Sequence, residues 1–210
     1  MPLDDELSDL NPLELDALKE VASIGAGNAA TSLSRMIDSK IEMSVPKVDI
    51  LPVADVPEII GGAEKLIAAV LVRIEGEING GVLFTLDTAS ANLLIELLTG
   101  MDINIEEEMG ELEASALKEI GNILTGANLN AFSKMLNIKI KPQVPALAYD
   151  MSGAILEVCF IELGQVGDYA LVIETDFLSD LEEDINGNFF LIPNPDSLQV
   201  ILNKLGVSDV

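Results

Sequence analysis

The chain has no histidine and no tryptophan, one cysteine, and only eleven lysines and arginines among its 210 residues. Each shortage closes off a class of function. Without histidine there is no ordinary general base near neutral pH, no imidazole metal ligand, and no Ser-His or Cys-His nucleophile pair. Chemistry here must run on carboxylates, amides, hydroxyls or a partner's groups. The lone Cys159 excludes an intramolecular disulfide and points to a reducing, cytoplasmic location. Thirty-six acids face the eleven basic residues, for a net charge of −25. A nucleic-acid partner would need a Lys/Arg patch, and so would an anionic membrane face; neither is expected. The acidity reads equally well as a solvated surface. No apolar run approaches a bilayer span, because stretches such as Leu66–Val72 and Ala154–Leu156 are broken by charges or turns. The start, Met1-Pro2-Leu3-Asp4-Asp5-Glu6, is acidic and lacks the basic opening of a secretory or mitochondrial signal.

What is present is a repeat. The apolar fraction of 49% and mean hydropathy of +0.39 supply ample core for one large domain or two packed halves. Residues 13–46 return as residues 112–145 without a gap, with fourteen identities in thirty-four positions. Leu13-Glu14, Ala17-Leu18-Lys19-Glu20, Ile24, Gly27, Ser34, Met36, Lys40, Ile41 and Val45-Pro46 recur ninety-nine positions later. Such a duplication implies two pseudo-symmetric halves, about 11–100 and 109–207, within a single domain over 1–210. The acidic link Met101–Glu108 is their boundary.

Local signals give each half the order α-β-(α)-β-β-α. Asn11-Pro12-Leu13-Glu14 is a capping-box start for a helix running to about Ile37. Lys40–Ile50 alternates as a strand, and Pro52 and Pro57 bracket a short helical segment. Leu66–Ile74 and Gly81–Leu86 form a hairpin through Ile78-Asn79-Gly80, followed by a helix over Thr88–Leu98. In the second half the spacing predicts a helix over Glu108–Leu136, a strand over Ile138–Val144, and helix or strand over Tyr149–Leu163. Strands at Asp168–Thr175 and Phe189–Ile192 precede a closing helix, Pro195–Leu205. Ile185-Asn186-Gly187 answers the first Asn-Gly turn at an offset of 107, which puts eight extra residues into an acidic loop, Phe177–Asp184. The expected fold is α/β (α+β), with a central sheet of about six strands and two long exposed helices.

Each long helix carries four positions spaced i, i+4, i+7, i+11 away from its apolar face. They are Asp16, Glu20, Ser23 and Gly27 in the first, and Ser115, Glu119, Asn122 and Gly126 in the second. Asn and Gly cost up to about 1 kcal/mol each against Ala in a helix interior, so stability does not explain them. A solvated face is the plain reading of one such line; its recurrence argues for a site. Other features fall away. Gly25-Ala26-Gly27 lacks a third glycine at Ala30 and lies inside a helix rather than after a strand. Glu106-Glu107-Glu108 and Glu182-Glu183-Asp184 lack the alternating ligands of a calcium loop, and no metal is expected on this chain.

On this stripe the chain resembles the CheC/CheX/FliY family of chemotaxis phosphatases, its CheC-type members above all. The family motif is Asp or Ser, three residues, Glu, two residues, Asn, twenty-two residues, Pro. Ser115, Glu119, Asn122 and Pro145 satisfy it in full. Asp16, Glu20, Ser23 and Pro46 keep the spacing and lose the Asn, making a degenerate first site. The resemblance implies dephosphorylation of phosphorylated CheY, a response regulator, with Glu119 pairing to a regulator lysine and Asn122 orienting the attacking water. Mg²⁺ is then expected on CheY and no cofactor on this chain. It further implies binding of CheD, a receptor-modifying deamidase, in the second half near Asp150. An alternative function is an adaptor that captures phosphorylated CheY or CheD with little turnover. A flagellar-switch component is a weaker alternative, since no extra switch-assembly domain is legible.

Overall fold

A computed structural model describes residues 10–45, 47–106, 109–163, 169–179 and 185–206. The first long helix, α1 (Pro12–Ile37), starts as the capping box requires. Asn11 accepts from the N–H groups of Leu13 and Glu14, and the Glu14 carboxylate accepts from the Asn11 N–H at 2.7 Å. Its chain continues into β1 (Ile41–Ser44), β2 (Val48–Pro52), a single 3-10 turn, α2 (Val56–Ile60), the hairpin β3 (Leu66–Gly76) and β4 (Gly80–Asp87), and α3 (Thr88–Thr99). The second half runs α4 (Glu111–Leu136), β5 (Ile140–Pro142), β6 (Ala146–Met151), α5 (Ser152–Glu162), β7 (Tyr169–Ile173), β8 (Asp176–Ser179), β9 (Gly187–Pro193) and α6 (Pro195–Leu205).

The halves are woven together rather than set side by side. β6 of the second half pairs antiparallel with β3 of the first, and β2 of the first pairs with β7 of the second. Leu147 opposes Val70 while Val48 opposes Ile173; Ile140 opposes Gly76 while Ile41 opposes Ser179. These are the same pairs seen from each half, with the edge strands ninety-nine residues apart and their partners one hundred and three. β4 and β9 join the halves in the middle, where Leu83 opposes Phe190, its own equivalent at an offset of 107. A pseudo-twofold axis therefore passes between β4 and β9, perpendicular to the sheet. The ladders form one five-stranded sheet, with β5 and β6 both on the outer side of β3, then β4 and β9, and two two-stranded sheets, β2 with β7 and β1 with β8, of which β7 and β8 lie beside β9.

The Asn-Gly turns obey the same symmetry. The Asn79 N–H donates to Ser197 Oγ at 2.7 Å, and the Asn186 N–H to Ser90 Oγ at 2.8 Å. The Asn194 and Asp87 N–H groups donate to the Asn79 and Asn186 carbonyls. Each hairpin turn is thus tied to a helix start of the other half.

Alternate residues of the strands feed two cores. Ala68, Val70, Val72 and Ile74 of β3 face α1, α4, α3 and α6. Ile67, Ala69 and Leu71 face α2 and α5. The pseudo-axis relates α1 to α4 on one face, so these two helices run in opposite senses across the sheet and pack on each other through buried positions such as Gly25 and Asn128.

Several expectations need correcting. The strand expected over Lys40–Ile50 is two, interrupted between Ser44 and Val48, and its counterpart is likewise interrupted between Pro142 and Ala146. Pro145 sits in that second break, where a residue without an N–H cannot extend the ladder. The ambiguous stretch Tyr149–Leu163 is strand to Met151 and helix from Ser152. The second long helix begins at Glu111 after Gly110, later than expected. The eight extra residues of the second half are not all in one loop. The offset is already 103 at β7, so four lie between β6 and β7, where α5 is eleven residues against five for α2, and four lie between β8 and β9. Part of the supposed acidic loop is strand β8; Glu182-Glu183-Asp184 lies outside the described residues.

Candidate active site

The repeat contains two kinds of shared residue, and the structure separates them. Some have structural work in both halves. Ser34 Oγ donates to the Ile41 carbonyl and accepts from its N–H, tying its helix end to β1, and Ser133 Oγ donates to the Ile138 carbonyl at 2.6 Å, tying its own to the segment that leads into β5. Asp38 and Asn137 cap these helices in the left-handed conformation, both at φ 51°.

The stripe residues are different. Asp16, Glu20 and Gly27 on α1 are exposed, as are Ser115, Glu119 and Asn122 on α4. Among the described residues, neither Glu119 nor Asn122 makes a side-chain hydrogen bond or ion pair. The buried faces of both helices, through Leu18, Val21 and Leu33 in one and Leu117, Ile120 and Phe132 in the other, hold the stripes outward on rigid elements.

The glycines give the sharpest contrast. A Cβ added at Gly25 would lie 2.7 Å from Asn128 Oδ1, and one at Gly121 2.6 Å from Val70 Cγ1; these are packing glycines. A Cβ at Gly27 or Gly126 would meet nothing within 4 Å. Among the described residues, nothing fills the space a side chain would take at either stripe position.

The two copies differ in their polar tip. Asn122 presents a free amide with separate donor and acceptor ends. Ser23 is half-buried, and its hydroxyl donates to the Lys19 carbonyl at 2.7 Å, which spends its one donor on the helix itself. Of the remaining motif residues, Pro145 is half-buried in the break before β6, and Pro46 lies outside the described residues. Asp150 is exposed at the end of β6, away from the stripe, and accepts from the Met151 N–H at 2.7 Å. One feature escaped the spacing argument: Leu13 and Leu112, three residues before Asp16 and Ser115, are exposed to 51% and 47%. They extend each stripe by a turn, and their recurrence in the repeat was the available signal.

Burial, with Glu162 adding to it, pushes the Cys159 thiol up to about 11, so it is a protonated core residue and not a nucleophile. Among the described residues no group of three or more acidic or cysteine side chains is arranged to hold a metal ion.

The model of the CheC-like family matches residues 13–50 and 112–149, the two repeats. The chain is also 34% identical over 199 residues to the CheY-P phosphatase CheC of Bacillus subtilis (strain 168), covering 93% of this chain and 95% of that protein. The chain belongs to the CheC-like family. The crystal structure of Thermotoga maritima FliY superposes on this CheC-like chain with a TM-score of 0.78 at 21% identity, covering 94% of this chain and 98% of that one. A chain of the CheX-CheY-BeF3-Mg²⁺ complex from Borrelia burgdorferi does so at 0.52 and 20% identity, covering 81% and 96%. At those identities the structures establish a shared fold. No helix among the described residues of the CheC-like chain is long and apolar enough to cross a membrane.

Proposed function

We propose that this chain is a phosphatase for the chemotaxis response regulator CheY-P, acting through Glu119 and Asn122. The observation that carries the reading is the pair itself, a carboxylate and an amide that have no partner among the described residues, one turn apart on the outer face of a buried-backed helix. In this family setting, with a relative named as a CheY-P phosphatase, those groups suit hydrolysis of an aspartyl phosphate. Water attacks phosphorus in line, the P–O bond to the aspartyl carboxyl breaks, and phosphate and a free carboxylate leave. The regulator's own Mg²⁺ carries the developing charge, so the phosphatase needs only to fix one water and hold the partner in place. The Asn122 amide accepts from that water and donates beside it without any titration. Glu119 takes an ammonium of the regulator in a charge-assisted contact. Ser115 flanks the pair on the same stripe, and Pro145 lies in the break between β5 and β6. On the first stripe, Glu20 and Asp16 remain while the amide is gone, leaving a degenerate site.

A chemotaxis protein of this kind works in the cytoplasm. The second partner, CheD, fits the surface around Asp150. There Leu66, Met151, Val158 and Ile161 are exposed apolar side chains beside a groove of about 310 Å³ between β6 and α5 that Asp150 and Glu162 also line.

The test is phosphate release from phosphorylated CheY with this protein at substoichiometric amounts. Many turnovers per molecule are expected, and Asn122→Ala should remove most of them. Release limited to one event per molecule would make the chain an adaptor instead.

A further inference from the structure

We infer that Val144, in the break between β5 and β6, is a specificity-determining contact for the phosphorylated regulator, an inference that rests on the phosphatase reading above. It lies outside the helix stripe and is not one of the motif residues. A single exposed valine is ordinary on a protein surface. This one is set apart by its copy in the other half, by the backbone that carries it, and by its height along α4.

The repeated Val-Pro stands at the same place in each half. Between the pairs Pro142↔Ile74 and Ala146↔Leu71, the three residues 143–145 oppose only Arg73 and Val72. Between Ser44↔Asp176 and Val48↔Ile173, three residues again oppose two. Each is a bulge, a device that re-aims a side chain at a sheet edge. The same bulge buries its valine once and exposes it once. Val45 is 6% exposed and belongs to the helix-side core, whereas Val144 is 87% exposed. The half that keeps the amide at Asn122 is the half that turns its valine out.

The bulge puts Val144 on the α4 side of the sheet. Strand alternation carries the helix-side face from Ile140 through Pro142 to Val144; counted back from Leu147, it carries the same face to Pro145. The one extra residue lets both face that way. Gln143 fixes the bend: its N–H donates to the Arg73 carbonyl at 2.8 Å and its side-chain amide to Glu75 Oε2 at 3.1 Å.

Height along the helix follows from register. Gly121 packs on Val70, and Val70 opposes Leu147. After α4 ends at Leu136, β5 and β6 run back along it. Pro145 is two residues from Leu147 toward that end, about 7 Å. At about 1.5 Å rise per residue this level falls about four to five residues beyond Gly121, beside Gly126. Asn122, the open space over Gly126 and the Val144 side chain therefore make one continuous surface, an amide with an apolar rim. A regulator that brings its phosphoaspartate to Asn122 lays the neighbouring part of its own surface on Val144, and an apolar side chain there is the group that gains by the contact. Made more than a turn away from the reacting atoms, such a contact is equal in ground and transition states, so it sets KM and leaves kcat alone.

The experiment titrates the full chain with CheY held in its phosphorylated form by beryllofluoride and Mg²⁺, and measures kcat and KM for CheY-P and the melting temperature on the same variants. Val144→Ser should raise Kd and KM roughly tenfold, with kcat and melting temperature at their wild-type values. Val144→Ile should keep the affinity, and Val158→Ser, exposed on α5, should change neither constant. Unchanged Kd and KM in Val144→Ser would overturn the inference, while the phosphatase reading would still stand on the loss of turnover in Asn122→Ala. A fall in kcat at unchanged Kd would overturn it as well, and so would a weaker Kd that came with a lower melting temperature, which would make Val144 a structural residue. A wild-type chain that binds the regulator but releases phosphate only once per molecule would overturn the phosphatase reading instead, and the comparison of Kd values would still decide the role of Val144.

Discussion

Replacing Gly126 with alanine should make this protein more stable and less active at once. The position is in the interior of a 26-residue helix, and the added methyl would touch nothing within 4 Å. With no steric cost, the change gains the helix-propensity difference, about 0.8–1 kcal/mol. For a chain of this length that is a rise in melting temperature of roughly 2–4 °C. The partner's view is the reverse. If Gly126 exists so that another backbone can come close one turn beyond Asn122, the methyl holds that backbone off. A displacement of about 1 Å at a water-positioning group costs on the order of 10²-fold in rate. The assay pairs thermal denaturation with kcat/KM for CheY-P, using Gly25→Ala and Gly121→Ala as controls. Those two should lose roughly 1–3 kcal/mol, because their new methyls would collide with Asn128 and Val70. A Gly126→Ala protein with unchanged kcat/KM would refute the clearance argument. One that melted lower would refute the reading of the space as open.

Asn122→Asp keeps the shape of the side chain but removes both N–H donors and sets a negative charge facing a phosphoryl group; turnover of CheY-P should fall on the order of 10²-fold or more, and a rate near wild type would exclude the amide as the working group. Each half expressed alone, residues 11–100 or 109–207, should fail to give a cooperative thermal transition by circular dichroism, because β1/β2 and β5/β6 find their partners only in the other half; mixing the two should restore it. With a net charge of −25, the folded chain repels itself, so the melting temperature should rise by roughly a few degrees between low salt and 1 M KCl as the Debye length shrinks from about 30 Å to about 3 Å; a flat or falling profile would mean the acids are locally compensated.

The stripe was legible in the sequence because helical spacing is a local rule. Four positions at i, i+4, i+7, i+11 must share a face wherever the helix packs, and the repeat said that the face was not incidental. The same locality explains the reliable capping box at Asn11 and the Asn-Gly turns. Strand boundaries were less legible. Lys40–Ile50 alternates with its apolar residues at 41, 43 and 45 and then at 48 and 50, a slip of phase at Pro46-Lys47 that becomes two segments once the pairing against β8 and then β7 is seen. The stretch Tyr149–Leu163 is mostly apolar, and its few polar residues, Asp150, Ser152, Glu157 and Glu162, follow neither a strand nor a helix period cleanly enough to place the boundary.

Sequence by itself determined the duplication, the helix faces, the absence of histidine chemistry and the inequality of Asn122 and Ser23. Tertiary structure alone decided that the halves exchange edge strands, since strand pairing between residues a hundred positions apart leaves no local trace. It decided which repeated residues are structural: Ser34 bonds to a neighbouring strand and Ser133 to the segment leading into one, and no pattern distinguishes them from Glu20 and Glu119 until those segments are in place. It decided, too, that two glycines of α1 have opposite meanings. Gly25 and Gly27 differ by two residues and about 160° around the helix axis at roughly 100° per residue. One faces a packed side chain and the other faces open space, because what a helix face meets depends on the neighbour and not on the helix.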